Sequence, residues 1–406
     1  MKKLHFAQIK TYGTSMLPIL QNEDVVYLEK ISFKEIAQND IICYYQNKKY
    51  VTHRVIYTRQ KFLITKGDNN FNADERVIPN QIIGKVYKIK RERRTIILDN
   101  IYLFQSSIYF KEIIKIKRQF EKERIDFLFL KGLPLHLHYE KAFPRRLYAD
   151  CDVLINPNHF EKVETILLNE GYSLYSTALL RTDKKRKKRR TELSYYKKYK
   201  NLYIVFDIHF EPVFTIFQLN GLNALYPQSK ILELRDDFLM NKQLIKIDNE
   251  SFPILSPEHL IVYLCLHFFH DNYKGIYKLS FLNSVWQNHK KDQRVITRIQ
   301  LIIDYYSLNN LIYPTLYFLK KYFDTKFPES IISKNKPSNL TFLFTRKFIL
   351  SSIIFNNENN DKAAVKLFIN LFFLSQSSLF KKIFVLINPE VVRSVIKITY
   401  KNLKNI

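Results

Sequence analysis

Short apolar stretches separated by turn residues occupy the first ninety residues of the chain. They are rich in Val, Ile and Tyr, which fit a pleated, partly buried strand. The pattern predicts strands at Asp24–Leu28, Asp40–Tyr45, Tyr50–Tyr57, Lys61–Lys66 and Ile82–Ile89. Residues 1–92 are therefore expected to form a β-rich domain.

The spacing of the apolar positions changes to a helical period near residue 101. Tyr109, Ile113, Ile116 and Phe120 lie three or four residues apart and alternate with Lys and Arg. This spacing is typical of an amphipathic helix. A basic cluster precedes it, and we expect residues 93–125 to connect two domains through this helix.

Strands alternate with helices over residues 126–255, which favours an α/β core. Buried strands are predicted at Phe127–Leu130, Asp152–Ile155 and Leu202–Phe210. A helix is predicted at His159–Glu170, because the apolar period there is helical and a glycine follows it as a C-terminal cap.

Residues 256–406 have a helical pattern throughout. Ser256-Pro257-Glu258 combines an N-cap serine, a proline at the first helical position and an acid in the first turn. The chain is thus predicted to be multidomain, with a β-rich domain, an α/β core and an α-helical C-terminal extension. Further helical patterns cover Leu301–Tyr306, Tyr313–Phe323, Phe342–Phe355 and Ala363–Phe373.

The net charge of the chain indicates more about its partners than its overall composition does. Of the 406 residues, 46% are apolar and 25% are charged, as in globular proteins. Lys and Arg total 65 against 38 Asp and Glu, a net charge of +27. Such a field attracts nucleic acid, nucleotides, acidic peptides or anionic lipid, although AT-rich codon usage would also enrich Lys.

The sequence also bears on redox state and compartment. Cys43, Cys151 and Cys265 lie far apart and form no metal-binding spacing, so we expect neither a disulfide framework nor a Cys-rich metal site. No apolar run reaches the ~18 residues of a spanning helix, and no apolar segment follows the basic N-terminus. We expect a soluble, cytoplasmic protein without a transmembrane segment that can contact a membrane surface.

Polar residues in the β-rich region suit a hydrolase. Ser15 lies in the turn Gly13–Pro18, His53 lies on a predicted strand, and Asp68 and Asp74 follow. A serine hydroxyl needs an adjacent base to act as a nucleophile. A carboxylate can hold the imidazole of that base in the required tautomer.

These motifs resemble the signal peptidase I family over about residues 8–90. Ser15, followed by Met and then by Pro18, matches its Ser-Met-x-Pro motif. His53 before Arg-Val is similar to the archaeal and endoplasmic-reticulum type, as is the Lys-Gly-Asp-Asn-Asn element with a second Asp after it. The resemblance implies that Ser15 is the nucleophile, His53 the general base, and Asp68 or Asp74 the orienting carboxylate.

The sequence departs from that family in one respect. Signal peptidases are anchored by a membrane helix, and this sequence shows none. The resemblance therefore leaves open a soluble peptidase that acts on a peptide and an inactive fold that only binds one.

Acidic residues also mark the predicted strands of the α/β core. Asp150 and Asp152 are two residues apart, so their side chains share one face of a strand, and Asp207 on a later strand could complete a set of oxygen ligands. Ligands of this kind bind Mg²⁺, and two Mg²⁺ ions can hold the attacking and leaving oxygens of a displacement at phosphorus. Lys131-Gly132 opens a strand-to-helix turn that can hold a triphosphate. His209 either faces the same site or has a structural role.

These motifs resemble the DNA polymerase β-type nucleotidyltransferase superfamily over about residues 100–330. The closer likeness is to a bacterial branch of uncharacterised nucleotidyltransferases with Leu-Lys-Gly, Arg-x3-Asp-x-Asp and Asp-x-His signatures. That branch also carries a Pro-Glu helix with a downstream His, here His267. The resemblance implies Mg²⁺ (or Mn²⁺) as cofactor and an NTP such as ATP as substrate. It assigns Asp150, Asp152 and Asp207 to the metal, Asp207 also to catalysis, and Lys131, Gly132 and Arg146 to the nucleotide.

Seven consecutive basic residues, Lys184–Arg190, add a candidate contact to nucleic acid, an acidic peptide or a triphosphate. The alternative is that this basic run is a solvated hairpin tip without a binding role. We predict a bifunctional fusion that transfers a nucleotidyl group to a peptide, protein or other acceptor and also carries a soluble Ser/His peptidase, in the maturation of a ribosomally made peptide. The alternative is a toxin-like nucleotidyltransferase that modifies tRNA, with an inactive peptide-binding N-terminal domain.

Overall fold

The computed structural model describes residues 7–140, 145–175, 191–200, 202–213, 222–356, 360–389 and 391–393. Two β-sheets and a set of helices make up these residues, and the chain has mixed α/β architecture.

The first sheet is antiparallel and holds eight strands in the order β1-β2-β7-β3-β4-β5-β6, with β8 paired to β7. Five of its strands, β2 to β5 and β7, coincide closely with the predicted ones, because Val, Ile and Tyr favour extended backbone. The central strand β3 is buried on both faces, with Ile41 and Cys43 in one core cluster and Ile42 and Tyr44 in another. The strands are β1 (Gln8–Lys10), β2 (Val25–Glu29), β3 (Ile41–Gln46), β4 (Lys49–Thr58), β5 (Leu63–Lys66), β6 (Arg76–Val77), β7 (Ile82–Arg91) and β8 (Arg94–Ile97).

The first sheet extends beyond the predicted boundary at residue 92. That boundary falls in the turn between β7 and β8, where Glu92 has a φ of 53°. The basic residues of this region belong to a two-stranded hairpin, because Arg91 pairs with Arg94 and Lys88 with Ile97. The connecting helix α1 (Leu98–Lys122) begins only after this hairpin.

Helix α1 is amphipathic, as its apolar spacing predicts. Tyr109, Ile113, Ile116 and Phe120 are buried on one face. This face lies in the apolar core of the second sheet. Tyr102, near the start of the helix, belongs instead to a core cluster of the first sheet, so α1 packs against both sheets.

The second sheet is mixed and holds seven strands in the order β11-β12-β13-β10-β9-β15-β14. Strands β10 and β13 run parallel, whereas β9 runs antiparallel to β10. Helix α2 (Leu133–Glu140) follows β9, and helix α3 (Phe160–Asn169) follows β10. The strands are β9 (Phe127–Phe129), β10 (Cys151–Ile155), β11 (Ser173–Leu174), β12 (Glu192–Tyr199), β13 (Leu202–His209), β14 (Lys242–Ile247) and β15 (Glu250–Leu255).

The remaining elements are helical, and this agrees with the prediction for residues 256–406 wherever the structure describes them; residues 357–359, 390 and 394–406 lie outside the described part. The pattern at Phe342–Phe355 does not form one α-helix, because a π-helical segment at Thr345–Leu350 interrupts it. None of the helices in the described part of the chain is both long and apolar enough to cross a membrane. The helices are α4 (Leu222–Leu225), α5 (Gln228–Met240), α6 (Pro257–His270), α7 (Ile276–His289), α8 (Gln293–Tyr305), α9 (Asn309–Phe323), α10 (Glu329–Asn335), α11 (Asn339–Phe344), α12 (Asn360–Leu374) and α13 (Leu379–Ile387).

The first sheet docks against the C-terminal helices through side chains at the end of β4. Tyr57 is buried and its hydroxyl donates to the carbonyl of Tyr322 over 2.6 Å. Arg59 forms an ion pair with Asp324 at 2.8 Å. Because Ile56, Tyr57 and Ile64 belong to the apolar core of the second sheet, that core extends onto part of the first sheet, which also has two core clusters of its own.

A buried carboxylate makes a second connection between the two sheets. Asp40, whose side chain is 1% exposed, lies 2.8 Å from Lys85 of the first sheet. It also lies 3.0 Å from Arg145, which precedes the second sheet's strand β10. The carboxylate accepts a further hydrogen bond from the backbone of Ala37, so its burial is fully compensated.

Replacing Asp40 with Ala should lower the free energy of unfolding by about 3 kcal/mol, because the partner cations then lose their buried counter-charge. Urea denaturation of the full chain measures this loss. The exposed ion pair between Lys10 and Glu23 gives the matched control, and Lys10→Ala should change stability by less than about 0.5 kcal/mol. Equal effects of the two substitutions would contradict the role given to Asp40.

Candidate functional site

Three carboxylates meet at one edge of the second sheet. Asp150 directly precedes β10, and Asp152 lies within it. The parallel pairing of β10 and β13 sets Asp152 opposite Asp207. One carboxylate oxygen of each residue lies within 4.8 Å of the others. The structure thus brings together the three Asp residues that the sequence predicts as metal ligands.

Helix α1 fixes the backbone that leads into this cluster. Gln105 donates through its amide to the carbonyl of Tyr148 and accepts from the backbone N–H of Tyr148 at 3.0 Å. The Tyr109 hydroxyl lies 2.9 Å from the carbonyl oxygen of Ala149 and 3.0 Å from that of Tyr203. Asp150 therefore follows two residues that are hydrogen-bonded to a buried helix face.

Two basic side chains compensate the charge of the cluster. Lys131 Nζ lies 3.2 Å from Asp152 Oδ1, and His209 Nε2 lies 3.0 Å from the same oxygen. Burial opposes ionisation of Asp152, but Lys131 and His209 hold its pKa below the ordinary value. Burial also opposes the charge on Lys131, yet Asp152 raises its pKa well above the usual range. His209 thus faces the site.

The two other carboxylates are less well compensated. Burial raises the pKa of Asp150, and the charge of Asp152 adds to this effect. Burial, together with the charges of Asp152 and Asp150, raises the pKa of Asp207 to about 6 although Ser194 hydrogen-bonds to it. Within the described residues, Asp152 Oδ2 and Asp207 Oδ1 are buried without a hydrogen-bond partner. Buried oxygens of this kind are the donor set that Mg²⁺ or Mn²⁺ binds, so the residues fit such an ion.

The predicted nucleotide turn lies beside the carboxylates. Lys131-Gly132 follows β9 and opens α2, and Gly132 has a φ of 101°, a conformation that residues with a side chain rarely adopt. Lys131 Nζ also donates to His267 Nε2 over 3.1 Å. Burial and the neighbouring charge of Lys131 lower the pKa of His267 well below its ordinary value, which keeps this imidazole a hydrogen-bond acceptor.

Arg146 lies in the irregular segment before β10. Its guanidinium forms an ion pair with Glu140 of α2 at 2.9 Å, and Nη1 lies 3.2 Å from His136 Nε2. Arg146 Nε is buried without a hydrogen-bond partner among the described residues. A role of Arg146 toward the nucleotide stays a prediction.

Two residues near the carboxylates carry no role in the sequence analysis. Glu192 begins β12, pairs in register with His209 and lies 3.6 Å from its Nδ1. The sequence feature that could have identified Glu192 is its two-residue spacing from Ser194 on β12. Antiparallel pairing of β12 with β13 then places Glu192 opposite His209 and Ser194 opposite Asp207. Asp271 lies 3.3 Å from His267 and also contacts Lys278, which extends the hydrogen-bonded chain away from Lys131.

A second set of polar side chains meets in the first sheet. His53 on β4 is buried, and its Nε2 lies 2.9 Å from Ser15 Oγ. Its Nδ1 lies 2.7 Å from Asp74 Oδ2. Thr65 donates to the same carboxylate oxygen over 2.8 Å. Ser15, His53 and Asp74 therefore form one hydrogen-bonded row in the order that nucleophilic catalysis requires.

Asp68 is engaged elsewhere. Its two carboxylate oxygens each accept a hydrogen bond from Arg54, from Nε and Nη2, at 2.6 Å. Nη1 of the same guanidinium donates to the hydroxyl of Tyr102 and to the carbonyl of Asn39. Of the two carboxylates that the sequence leaves open, Asp74 contacts His53 and Asp68 pairs with Arg54.

The loop that carries Asp68 also holds the backbone of Ser15. The N–H of Asn69 donates to the carbonyl of Ser15 over 2.8 Å. At Gly67 a Cβ would lie 2.7 Å from that same carbonyl oxygen, so only glycine permits this close approach. The Lys-Gly-Asp-Asn-Asn element thus positions Ser15 through backbone contacts.

The basic run Lys184–Arg190 lies outside the described residues. Its predicted contact with a polyanion stays a prediction.

A sequence-family profile described as "Uncharacterised nucleotidyltransferase" matches residues 101–324, more than half of the chain. The chain belongs to this family. The matched region of this nucleotidyltransferase contains Lys131 and all three clustered carboxylates. The match does not assign the first sheet.

Other comparisons add little to the family match. A nucleotidyltransferase-like antigenic protein from Paracoccidioides brasiliensis is similar at 12% identity and a TM-score of 0.29, with 53% of this chain and 91% of that chain covered. A likeness that distant carries no functional argument. A search of curated proteins returned no significant match.

Replacing Asp68 with Ala should lower the free energy of unfolding by about 3–5 kcal/mol, because the buried guanidinium of Arg54 then lacks its partner. Urea denaturation measures the loss. The double variant Arg54→Met/Asp68→Ala should lose less than the sum of the two single variants, since it removes the orphaned charge together with its partner. Strictly additive losses would show that the pair is not coupled.

Proposed function

We propose that this nucleotidyltransferase moves a nucleotidyl group from an NTP to an acceptor at Asp150, Asp152 and Asp207, with a divalent metal. One observation carries the proposal: the three carboxylates converge within 4.8 Å, and two of their oxygens are buried without a hydrogen-bond partner in the described residues. Uncompensated carboxylates of this kind are costly unless a cation is bound.

The side chains around the cluster would have separate roles in binding the metal and the triphosphate. The three carboxylates would hold Mg²⁺ or Mn²⁺, which when bound neutralises charge on the phosphoryl group and orients its oxygens. Lys131 and the backbone turn at Gly132 lie beside them and would hold the remaining triphosphate oxygens. Helix α1 keeps the backbone before Asp150 fixed through Gln105 and Tyr109, so the ligands need little rearrangement.

We propose a peptide or protein as the acceptor. The segment that leads to Asp150 contacts the first sheet, since Leu147 packs on the core cluster that includes Met16, the residue after Ser15. Arg145, two residues earlier, pairs with Asp40. This continuity supports one substrate class for both sites, in the maturation of a ribosomally made peptide.

Asp150→Asn and Asp152→Asn should each lower nucleotidyl transfer by at least about a hundredfold while the fold persists, because each removes a charge that holds the metal. The measurement is pyrophosphate release, together with transfer of label from each of the four α-³²P NTPs at saturating Mg²⁺. Circular dichroism of each variant checks the fold. Asp236→Asn, an exposed carboxylate on α5, is the matched control and should keep full activity.

The destination of the label tests the acceptor. Label on peptide or protein supports the proposal, and label on tRNA would favour the alternative of a toxin-like enzyme. If Lys184–Arg190 contacts a polyanionic acceptor, replacing these residues by Gln should weaken binding of that acceptor. The affinity should then also depend less on salt concentration. Near-full transfer by either Asn variant would contradict the metal assignment.

We propose a second activity, peptide-bond hydrolysis, at Ser15, because a specific contact favours it. Ser15, His53 and Asp74 form a continuous hydrogen-bonded row. Ser15 Oγ would attack the peptide carbonyl as His53 Nε2 takes its proton. His53 would then give that proton to the leaving amine, and a water would release the acyl group from Ser15 by the same route. Asp74 would orient the imidazole through Nδ1.

Ser15→Ala and His53→Ala should be about equally inactive toward peptides, because the two residues act as a unit. Labelling by a fluorophosphonate probe measures the reactivity of Ser15 without a known substrate. The probe should label the wild-type chain at Ser15 and label neither variant. Ser32→Ala, a serine whose hydroxyl bonds to Glu35, is the matched control. Unchanged labelling of the His53 variant would show that Ser15 is not activated by this row.

A further inference from the structure

The C-terminal helix α13 exposes an unusually apolar face. Its sequence is Leu-Phe-Lys-Lys-Ile-Phe-Val-Leu-Ile, and of these side chains only Val385 is buried. Phe380 is 81% exposed. The other exposed apolar side chains of the helix are Leu379, Ile383, Phe384, Leu386 and Ile387. Soluble proteins rarely leave such a contiguous patch uncovered.

The arrangement around the helix axis is ordered. At ~100° per residue, the six exposed apolar side chains cover an arc of about 160° on the side opposite Val385. Lys381 and Lys382 lie at the two edges of that arc, where long cationic side chains can reach polar groups while their stems remain on apolar surface. The helix is held by its buried side and presents its apolar side outward.

A polar, basic cleft lies next to this helix. It has a volume of about 440 Å³, and Lys382 lines it together with Lys334, Lys336, Ser338 and Ser377. Lys334 and Lys336 are exposed. Ser377 Oγ bonds to the carbonyls of Ala224 and Leu225, which fixes the entry to α13. Three Lys side chains line this cleft, and cations grouped in this way suit a phosphate-bearing ligand.

Charge extends this pattern over the end of the chain. Residues 376–406 contain six basic residues and a single acidic one, Glu390. The whole chain carries a net charge of +27. An apolar helix face, flanked by Lys and beside a cationic cleft, matches the two layers of an anionic lipid surface, with acyl chains below and phosphate groups above.

We propose that α13 is a peripheral membrane-docking element that inserts its apolar face into the interface of an anionic phospholipid bilayer, with the adjoining cleft receiving a lipid headgroup phosphate. The nine-residue helix would lie in the plane of the interface. This assignment is independent of the two proposed catalytic activities.

Vesicle sedimentation of the full chain tests the proposal. The wild-type chain should bind vesicles of phosphatidylcholine mixed with phosphatidylglycerol and should bind pure phosphatidylcholine more weakly. Phe380→Ser/Phe384→Ser removes apolar surface but no charge, and should weaken binding to the mixed vesicles at least about tenfold. Lys334→Gln/Lys336→Gln should weaken binding to the mixed vesicles and leave binding to pure phosphatidylcholine vesicles unchanged.

The matched control is Met240→Ser/Leu244→Ser. These side chains, on α5 and β14, are 84% and 70% exposed, and their replacement should leave vesicle binding unchanged. Failure of the wild-type chain to bind the mixed vesicles would overturn the proposal. So would undiminished binding by the Phe variant, since binding would then come from net charge alone. A wild-type dimer that the Phe variant converts to a monomer would identify a second copy of the chain as the occupant instead.

Discussion

The close approach of three carboxylates, with Asp152 buried and Asp150 and Asp207 partly buried, is the constraint around which this edge of the second sheet is built. Like charges within 4.8 Å of one another are unfavourable unless cations oppose them. Among the described residues, Lys131 and His209 oppose this charge, and both contact one oxygen of Asp152. The parallel pairing of β10 and β13 nevertheless holds the residues together, because their strands lie in a core that would be lost if they separated. Stability of the fold therefore sustains an arrangement that is electrostatically incomplete, which is the usual signature of a functional site.

The first sheet handles its carboxylates in a different way. Asp68 is matched by the bidentate guanidinium of Arg54, and Asp74 by His53 and Thr65. No charge in this row requires an added ion. The two proposed activities would use their carboxylates differently, since Asp74 would orient an imidazole that transfers a proton, whereas the carboxylates of the second sheet would hold a cation that neutralises charge on a phosphoryl group. The arrangement of the two sheets is thus consistent with two distinct chemistries in one chain.

Local sequence was sufficient for strands β2 to β5, β7, β9, β10 and β13 and for the identity of the clustered Asp residues, but not for the other strands, among them β14 and β15. Alternating Val, Ile and Tyr fix β2 to β5, and the i, i+2 spacing of Asp150 and Asp152 places both on one face. The choice between Asp68 and Asp74 was not accessible, because it depends on where Arg54 and Tyr102 lie in the folded chain. Glu192 was missed for a similar reason, since its contact with His209 arises from pairing between strands. The sequence predicts a boundary inside the hairpin of β7 and β8, because a basic cluster there precedes a change to helical spacing.

The segment between residues 145 and 150 gives the two sites a mechanical relation. Arg145 is paired with Asp40, and Leu147 packs on the core behind Ser15. Tyr148 is hydrogen-bonded to Gln105 of α1. A segment that is fixed at successive residues to both sheets cannot shift unless the sheets move with it, because packed interiors deform little and transmit strain. The geometry of Asp150 is therefore set as much by the first sheet as by its own strand, and the first sheet is part of the structural support of the carboxylate cluster.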